Sequence, residues 1–189
     1  MPEISLRNAV ATDAPCIAML ATQVFLDTYA TEGIDLSMAQ EAIEHFSTGA
    51  ISTLLADAST TLVVAESAGR MIAFVQLRSG SPHALVAANG SAIEVARLYV
   101  QEGFTGKGVG SALMRCAEAL ALAQGASAVW LTAWVGNQRA RDFYARRGFQ
   151  DVGATQYVFQ GVPYENRVFV RALQPGAATL DLEGSIVGA

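Results

Sequence analysis

Several protein classes are excluded by what this chain has little of. It holds two cysteines, Cys16 and Cys116, with no Cys/His cluster around them. That argues against a metal site or a disulfide framework. Two lone cysteines on apolar helical faces fit buried thiols in a reducing, cytoplasmic compartment. No apolar run approaches the roughly 20 residues of a membrane helix, so no membrane partner is expected. A basic region followed by an apolar segment, the mark of a secretory signal, is also missing from the N-terminus. Basic residues are outnumbered: 12 Lys and Arg against 17 Asp and Glu give a net charge of −5. Nucleic-acid binders usually show a basic face, so none is expected as partner. An acidic balance is compatible with a cationic substrate. What is present is apolar mass: 52% of the 189 residues are hydrophobic, enough for the core of one domain.

The chain reads as one mixed domain over 1–173 and a loose extension over 174–189 containing Pro175-Gly176. Residues 4–9 form a first strand. Thr12 or Asp13 caps a helix to about Thr28, with Ile17, Leu20, Ala21, Val24 and Phe25 on one face. Shorter helices follow over 37–46, where Met38, Ala42 and Phe46 recur four apart, and over 51–57. Residues 60–67 and 71–78 read as a hairpin across Ala68-Gly69-Arg70. After a loop come a strand to Val100, a helix over 108–124 stopped by Gly125, a buried strand over 128–134, a helix over 137–148 and two final strands around 153–160 and 165–172.

The centre of the pattern is Phe104-Thr105-Gly106-Lys107-Gly108-Val109-Gly110-Ser111, between an apolar strand and a helix. That order sets bare backbone N–H groups at a helix N-terminus, where the dipole favours anions such as a pyrophosphate. A Walker loop does not fit, because Gly110 is followed by Ser111 and Lys107 comes too early. The dinucleotide fingerprint fails as well, needing a third glycine or alanine at Ser111 or Leu113. Taken alone, the glycines leave a plain strand-to-helix turn open. Downstream, Asn137-Gln138-Arg139-Ala140-Arg141-Asp142-Phe143-Tyr144 runs to Gly148-Phe149, with Asn137 as N-cap and Gly148 past the C-terminus.

With both motifs in this order, the chain resembles the GNAT acetyltransferase superfamily. Glu94-x-x-Arg97-x-Tyr99-Val100, Trp130-Leu131-x-x-Trp134 and Phe159-Gln160-Gly161 look like its polyamine-acetylating, PaiA-type branch. The resemblance reaches to about Leu173 and is weaker before Glu94. It implies an α+β fold: a central, mostly antiparallel, splayed sheet of six to seven strands flanked by helices. It implies acetyl-CoA as cosubstrate, no metal, and an N-acetyltransferase acting on a primary amine of a small molecule by direct attack in a ternary complex. Polyamine is the favoured acceptor. Amino acid analogues, antibiotics and protein N-termini are the alternatives, and a non-catalytic acyl-CoA-binding sensor is the reading from another class. Pairing of the last strands in the family leaves a homodimer open.

The resemblance also assigns roles. The backbone of Leu98, Tyr99 and Val100 would pair with the pantetheine arm and polarise the acetyl carbonyl, although their side chains read as core. Thr105, Gly106, Lys107, Gly108, Val109, Gly110 and Ser111 would hold the pyrophosphate; Thr105 stands where the family usually has Arg or Gln. Asn137 would touch the pantetheine. Arg139 and Arg141 would reach phosphates or be solvated helix charge. Tyr144 would be the general acid, against a merely packed aromatic. Glu94, a charge among apolar strand residues, would be the base, bind the amine, or pair with Arg97. A second family base position is Thr132 here. Tyr29 and Glu32 would line the acceptor groove or mark a helix end. His45 and His83 lack motif context and read as loop or surface residues.

Overall fold

One seven-stranded sheet organises the chain, in the order β1-β2-β3-β4-β5-β7-β6. The computed structural model describes residues 3–86, 91–159 and 161–174. The strands are β1 (Ile4–Asn8), β2 (Thr60–Ser67), β3 (Arg70–Arg78), β4 (Ala92–Val100), β5 (Ala128–Trp134), β6 (Gln150–Phe159) and β7 (Val162–Ala172). Every neighbouring pair is antiparallel except β4 and β5, which are parallel. A parallel pair needs a crossover, and helix α4 (Val109–Ala123) supplies it. The remaining helices are α1 (Ala14–Tyr29), α2 (Leu36–Phe46), α3 (Thr48–Ala56) and α5 (Gln138–Arg146). The architecture is the mixed α+β sheet that the sequence implied.

Each face of the sheet buries its own core. On one face Val109, Leu113, Met114, Ala117 and Ala121 of α4 pack with Val75, Leu77, Ile93, Val95, Val129 and Leu131. On the other, Ile17, Ala18 and Ala21 of α1, Phe46 of α2 and Ile51 of α3 pack on Leu62, Val64 and Phe74. The helix stripes recur every three to four residues and the strand positions every two, so each element gives one side to a core.

Local chemistry explains the shifts from the expected boundaries. Asp35 accepts the Met38 N–H at 2.8 Å and starts α2. Ser47 accepts the Ala50 N–H at 3.2 Å, so α3 begins three residues ahead of Ile51. Asp13 precedes α1 as expected but does not cap it. Its carboxylate takes two bonds from Arg7, at 2.7 and 2.9 Å, and one from the Val10 N–H at 2.8 Å. One burial expectation is corrected. Cys116 is buried, but Cys16 is exposed, because the buried stripe of α1 runs through Ala14, Ile17, Ala18 and Ala21. No helix among the described residues is long and apolar enough to cross a membrane. Of the C-terminal extension, 175–189 lies outside the described residues.

Candidate active site

The central sheet opens along its one parallel pair. Strands β4 and β5 pair only at Ala92, Ile93 and Glu94, against Ala128, Val129 and Trp130. On its other side β4 stays paired to β3 up to Val100. Within that pairing Gln76 faces Arg97 but Leu77 faces Val95, leaving Ala96 as an extra residue. A bulge of this kind bends and twists its strand. It lies just past the last β4–β5 pair, so from Val95 to Val100 one side of β4 has no strand neighbour. Alternate main-chain groups there face open space. A cavity of about 980 Å³ lies along this edge.

The glycine loop closes one end of the cavity. Gly106 and Gly108 have φ of +71° and +84°, a left-handed backbone that glycine adopts without strain. Gly108 is the N-cap residue of α4, whose first turn carries no acidic side chain. The first bond into this helix runs from the Ala112 N–H to the Gly108 carbonyl at 2.9 Å. Among the described residues, none of the six N–H groups from Gly106 to Ser111 donates to a protein acceptor before that bond. Six unpaired donors at the positive end of a 15-residue helix suit a pyrophosphate. Thr105, Gly106, Gly108, Gly110 and Ser111 line the cavity. The Val109 side chain is fully buried in the core, which leaves only its backbone to serve there. Lys107 lies off the lining, its ammonium 5.4 Å from the Phe104 ring centre.

Helix α5 brings the second motif to the same cavity. Asn137 accepts the Ala140 N–H at 3.1 Å and lines the cavity while capping the helix. The Tyr144 ring is held by Phe143, Phe149 and Phe169, at centroid distances of 5.4, 5.7 and 5.9 Å. Tyr144 is 8% exposed and lines the cavity. Burial pushes its phenol pKa well above the ordinary value, so the hydroxyl stays protonated at neutral pH. Arg139 reaches the rim but is held by Glu102 at 2.6 Å. Arg141 turns away and donates to the Val135 carbonyl at 3.1 Å, while Arg146, given no site role from the sequence, lines the cavity.

Side chains from distant segments form the other end. Glu94 lies 3.7 Å from Arg78, its cross-strand partner, and one of its carboxylate oxygens is buried without a hydrogen-bond donor. The expected alternative of a Glu94–Arg97 pair is not what forms. Arg97 donates instead to Gln76, directly opposite on β3, and its guanidinium lies 5.3 Å from the Phe46 ring centre. Opposite them α2 presents Glu41 and His45, 3.3 Å apart, and β6 sends the Tyr157 hydroxyl to Glu41 at 2.6 Å. All three line the cavity. His45, read from the sequence as a loop or surface residue, is an exposed residue of α2 at this wall. Sequence spacing did not reveal the other two: Glu41 and Tyr157 lie 116 residues apart. Tyr29 lines the cavity too, its ring 5.6 Å from that of Trp134, and burial raises its phenol. Glu32 is exposed in the turn after α1 and does not line the cavity, a correction to its expected role. Thr132 does line it. His83 lies outside, 5.1 Å from the Trp130 ring.

Comparisons with known proteins agree with this geometry. Residues 23–149 match the model of the Acetyltransferase (GNAT) family. An uncharacterized N-acetyltransferase of Mycobacterium bovis is 29% identical over 163 residues, covering 86% of this chain and 99% of its own length. Among solved structures, the PaiA N-acetyltransferase of Thermoplasma acidophilum in complex with coenzyme A has a TM-score of 0.69 at 20% identity. It covers 87% of this chain and 98% of its own. The ribosomal-protein-alanine N-acetyltransferase of Brucella melitensis has a TM-score of 0.62 at 18% identity, over 89% and 99%. These two structural likenesses speak for the fold. The family model spans the splayed strands, the glycine loop and the Asn137–Phe149 motif together, and on that match the chain belongs to the GNAT acetyltransferase family.

Proposed function

We propose that this chain moves an acetyl group from acetyl-CoA to a primary amine of a small molecule, with both substrates in the cavity at once. The observation that carries the reading is that a glycine loop with unpaired N–H groups, an unpaired strand edge and a buried phenol line one cavity. Acetyl-CoA supplies an activated acetyl thioester and leaves as a thiol. Gly106 to Ser111 bind the pyrophosphate through main-chain donors. The free N–H groups of Leu98 and Val100, which alternate with the β3-facing group of Tyr99, donate to an oxygen that gains charge, an effect worth about 3 kcal/mol per donor. Glu94, with a buried oxygen lacking a donor, takes the proton that an incoming ammonium must lose. Tyr144 holds its proton until negative charge collects beside its hydroxyl, then gives it up. Neither Cys16 nor Cys116 lines the cavity, so no thiol is at hand to carry the acetyl group, which supports direct attack.

The resemblance read from the sequence favours a polyamine as acceptor, and the net charge of −5 suits a cation. The test is release of CoA thiol from acetyl-CoA with spermidine, spermine, amino acids, an aminoglycoside and short peptides. Tyr144→Phe runs beside the wild type. Turnover with one amine class, lost in the variant, is the expected result. Tight acetyl-CoA binding with no turnover of any amine would favour the sensor reading, and no binding would remove the cofactor assignment.

A further inference from the structure

The acceptor end of the cavity has a charge pattern that a polyamine does not match. In a regular strand Glu94 and Arg97, three apart, would point to opposite faces. The extra residue Ala96 shifts the pleat, so both side chains reach partners on the same face of β3, Arg78 and Gln76. Both line the cavity. Glu94 offers its Oε2, which is buried, accepts no hydrogen bond and has the Arg78 guanidinium 3.7 Å away. Arg97 offers the reverse. Among the described residues no carboxylate lies within ion-pair distance of it, and the one side-chain bond it makes is to the neutral amide of Gln76, itself fully buried. Glu41, another acid of the cavity lining, is already engaged, since it receives Tyr157 and stands beside His45. Burial raises the Tyr157 phenol first, then its bond to Glu41, and the positive charge of Arg97 opposes both.

We infer that the acceptor carries a carboxylate beside its amine, in the manner of an amino acid, and that Arg97 binds the carboxylate while Glu94 faces the ammonium. A guanidinium has five donors in a planar fork that fits a carboxylate with two parallel bonds. Gln76 occupies one edge and fixes the fork's orientation from below, and Phe46 covers its face. A polyamine brings only positive charge to Arg97 and leaves its donors unmatched. The Glu94–Arg97 spacing then separates the two charges of a zwitterion instead of neutralising itself, because each residue is tied to its own cross-strand partner.

This inference rests on the acetyltransferase reading of the cavity, so its test uses binding as well as turnover. The probes are matched pairs that differ only in the carboxylate: phenylalanine with phenethylamine, and methionine with 3-(methylthio)propylamine, each with spermidine as the polycation. Calorimetry on the CoA-saturated protein reads the N-acetylated product of each pair, and thiol release reads the free amines. The expected result is that the carboxylate member is favoured about 10- to 100-fold in at least one pair, the usual weight of a charge-assisted bond. Arg97→Met, which keeps an apolar stem over Phe46, removes that preference by raising KM for the carboxylate member alone. Arg97→Lys restores part of it. Equal binding of both members, preference for spermidine, or an unchanged preference in Arg97→Met overturns the inference while leaving acetyl transfer intact. Failure of acetyl-CoA binding strikes the broader reading instead.

Discussion

The two ends of the cavity are built by different means. At the proposed cofactor end the unpaired groups are main-chain donors from one continuous stretch, Gly106 to Ser111, opening a single helix. At the acceptor end the lining groups are side chains gathered from α1, α2, β3, β4 and β6: Tyr29, Glu41, Arg78, Glu94, Arg97 and Tyr157. A main-chain site depends on backbone conformation more than on the identity of its side chains. A side-chain site changes its ligand with each substitution. One end can therefore be common to many acetyltransferases while the other is particular to this one.

Substitutions at the two ends should separate cleanly. The largest effect is expected where they meet. Tyr144→Phe should lower kcat about 100-fold or more, the range of a lost general acid, while CoA affinity by calorimetry stays within twofold. Next is the cofactor end. Gly108→Ala introduces a Cβ that meets no protein atom within 4 Å, so its penalty is the φ of +84°. That strain costs about 1–2 kcal/mol and should weaken CoA binding about tenfold with no change in KM for the amine. A smaller effect is expected at the acceptor end. Tyr157→Phe removes the 2.6 Å bond to Glu41 and should raise the amine KM about fivefold, leaving CoA affinity unchanged. If Tyr157→Phe altered CoA binding instead, the division between the ends would fail.

The smallest effect lies outside both ends, and pH reveals it. Arg7 holds the Asp13 carboxyl below its usual range, with burial opposing and the Val10 N–H assisting. A folded pKa below the unfolded one stabilises the protein above the unfolded value of about 3.9, and this is lost as pH falls through the folded pKa. Asp13→Asn should therefore cost about 1 kcal/mol at neutral pH, a modest figure because the Arg7 side chain is 39% exposed. Thermal melts should show the gap from wild type closing below about pH 4, with kinetics at pH 7 unaltered.

What the sequence disclosed follows the same division. The glycine loop was legible because glycines at positive φ and a helix start just after them leave a local signature. Asn137 and Gly148 were legible for the same reason, one capping α5 and the other ending it with φ of +79°. The acceptor wall left none. Glu41 reads as ordinary helix charge until Tyr157, a hundred residues on, arrives at hydrogen-bond distance. The Ala96 bulge contains no glycine or proline to announce it, so Arg97 rather than Arg78 was the partner the sequence offered Glu94. Exposure of Cys16 was hidden by the apolar residues around it, since a stripe displaced by one position still looks apolar. Glu32 lies off the cavity because it falls in the exposed turn after α1, while Tyr29, the last residue of that helix, lines it.

The account stands on both substrates occupying one cavity together, with no acetylated form of the protein between them. Initial velocities measured while acetyl-CoA and the amine are varied against each other test this most directly. Intersecting double-reciprocal lines, with the protein's mass unchanged after acetyl-CoA alone, are the expected result. Parallel lines, with an acetyl group found on the protein, would contradict it.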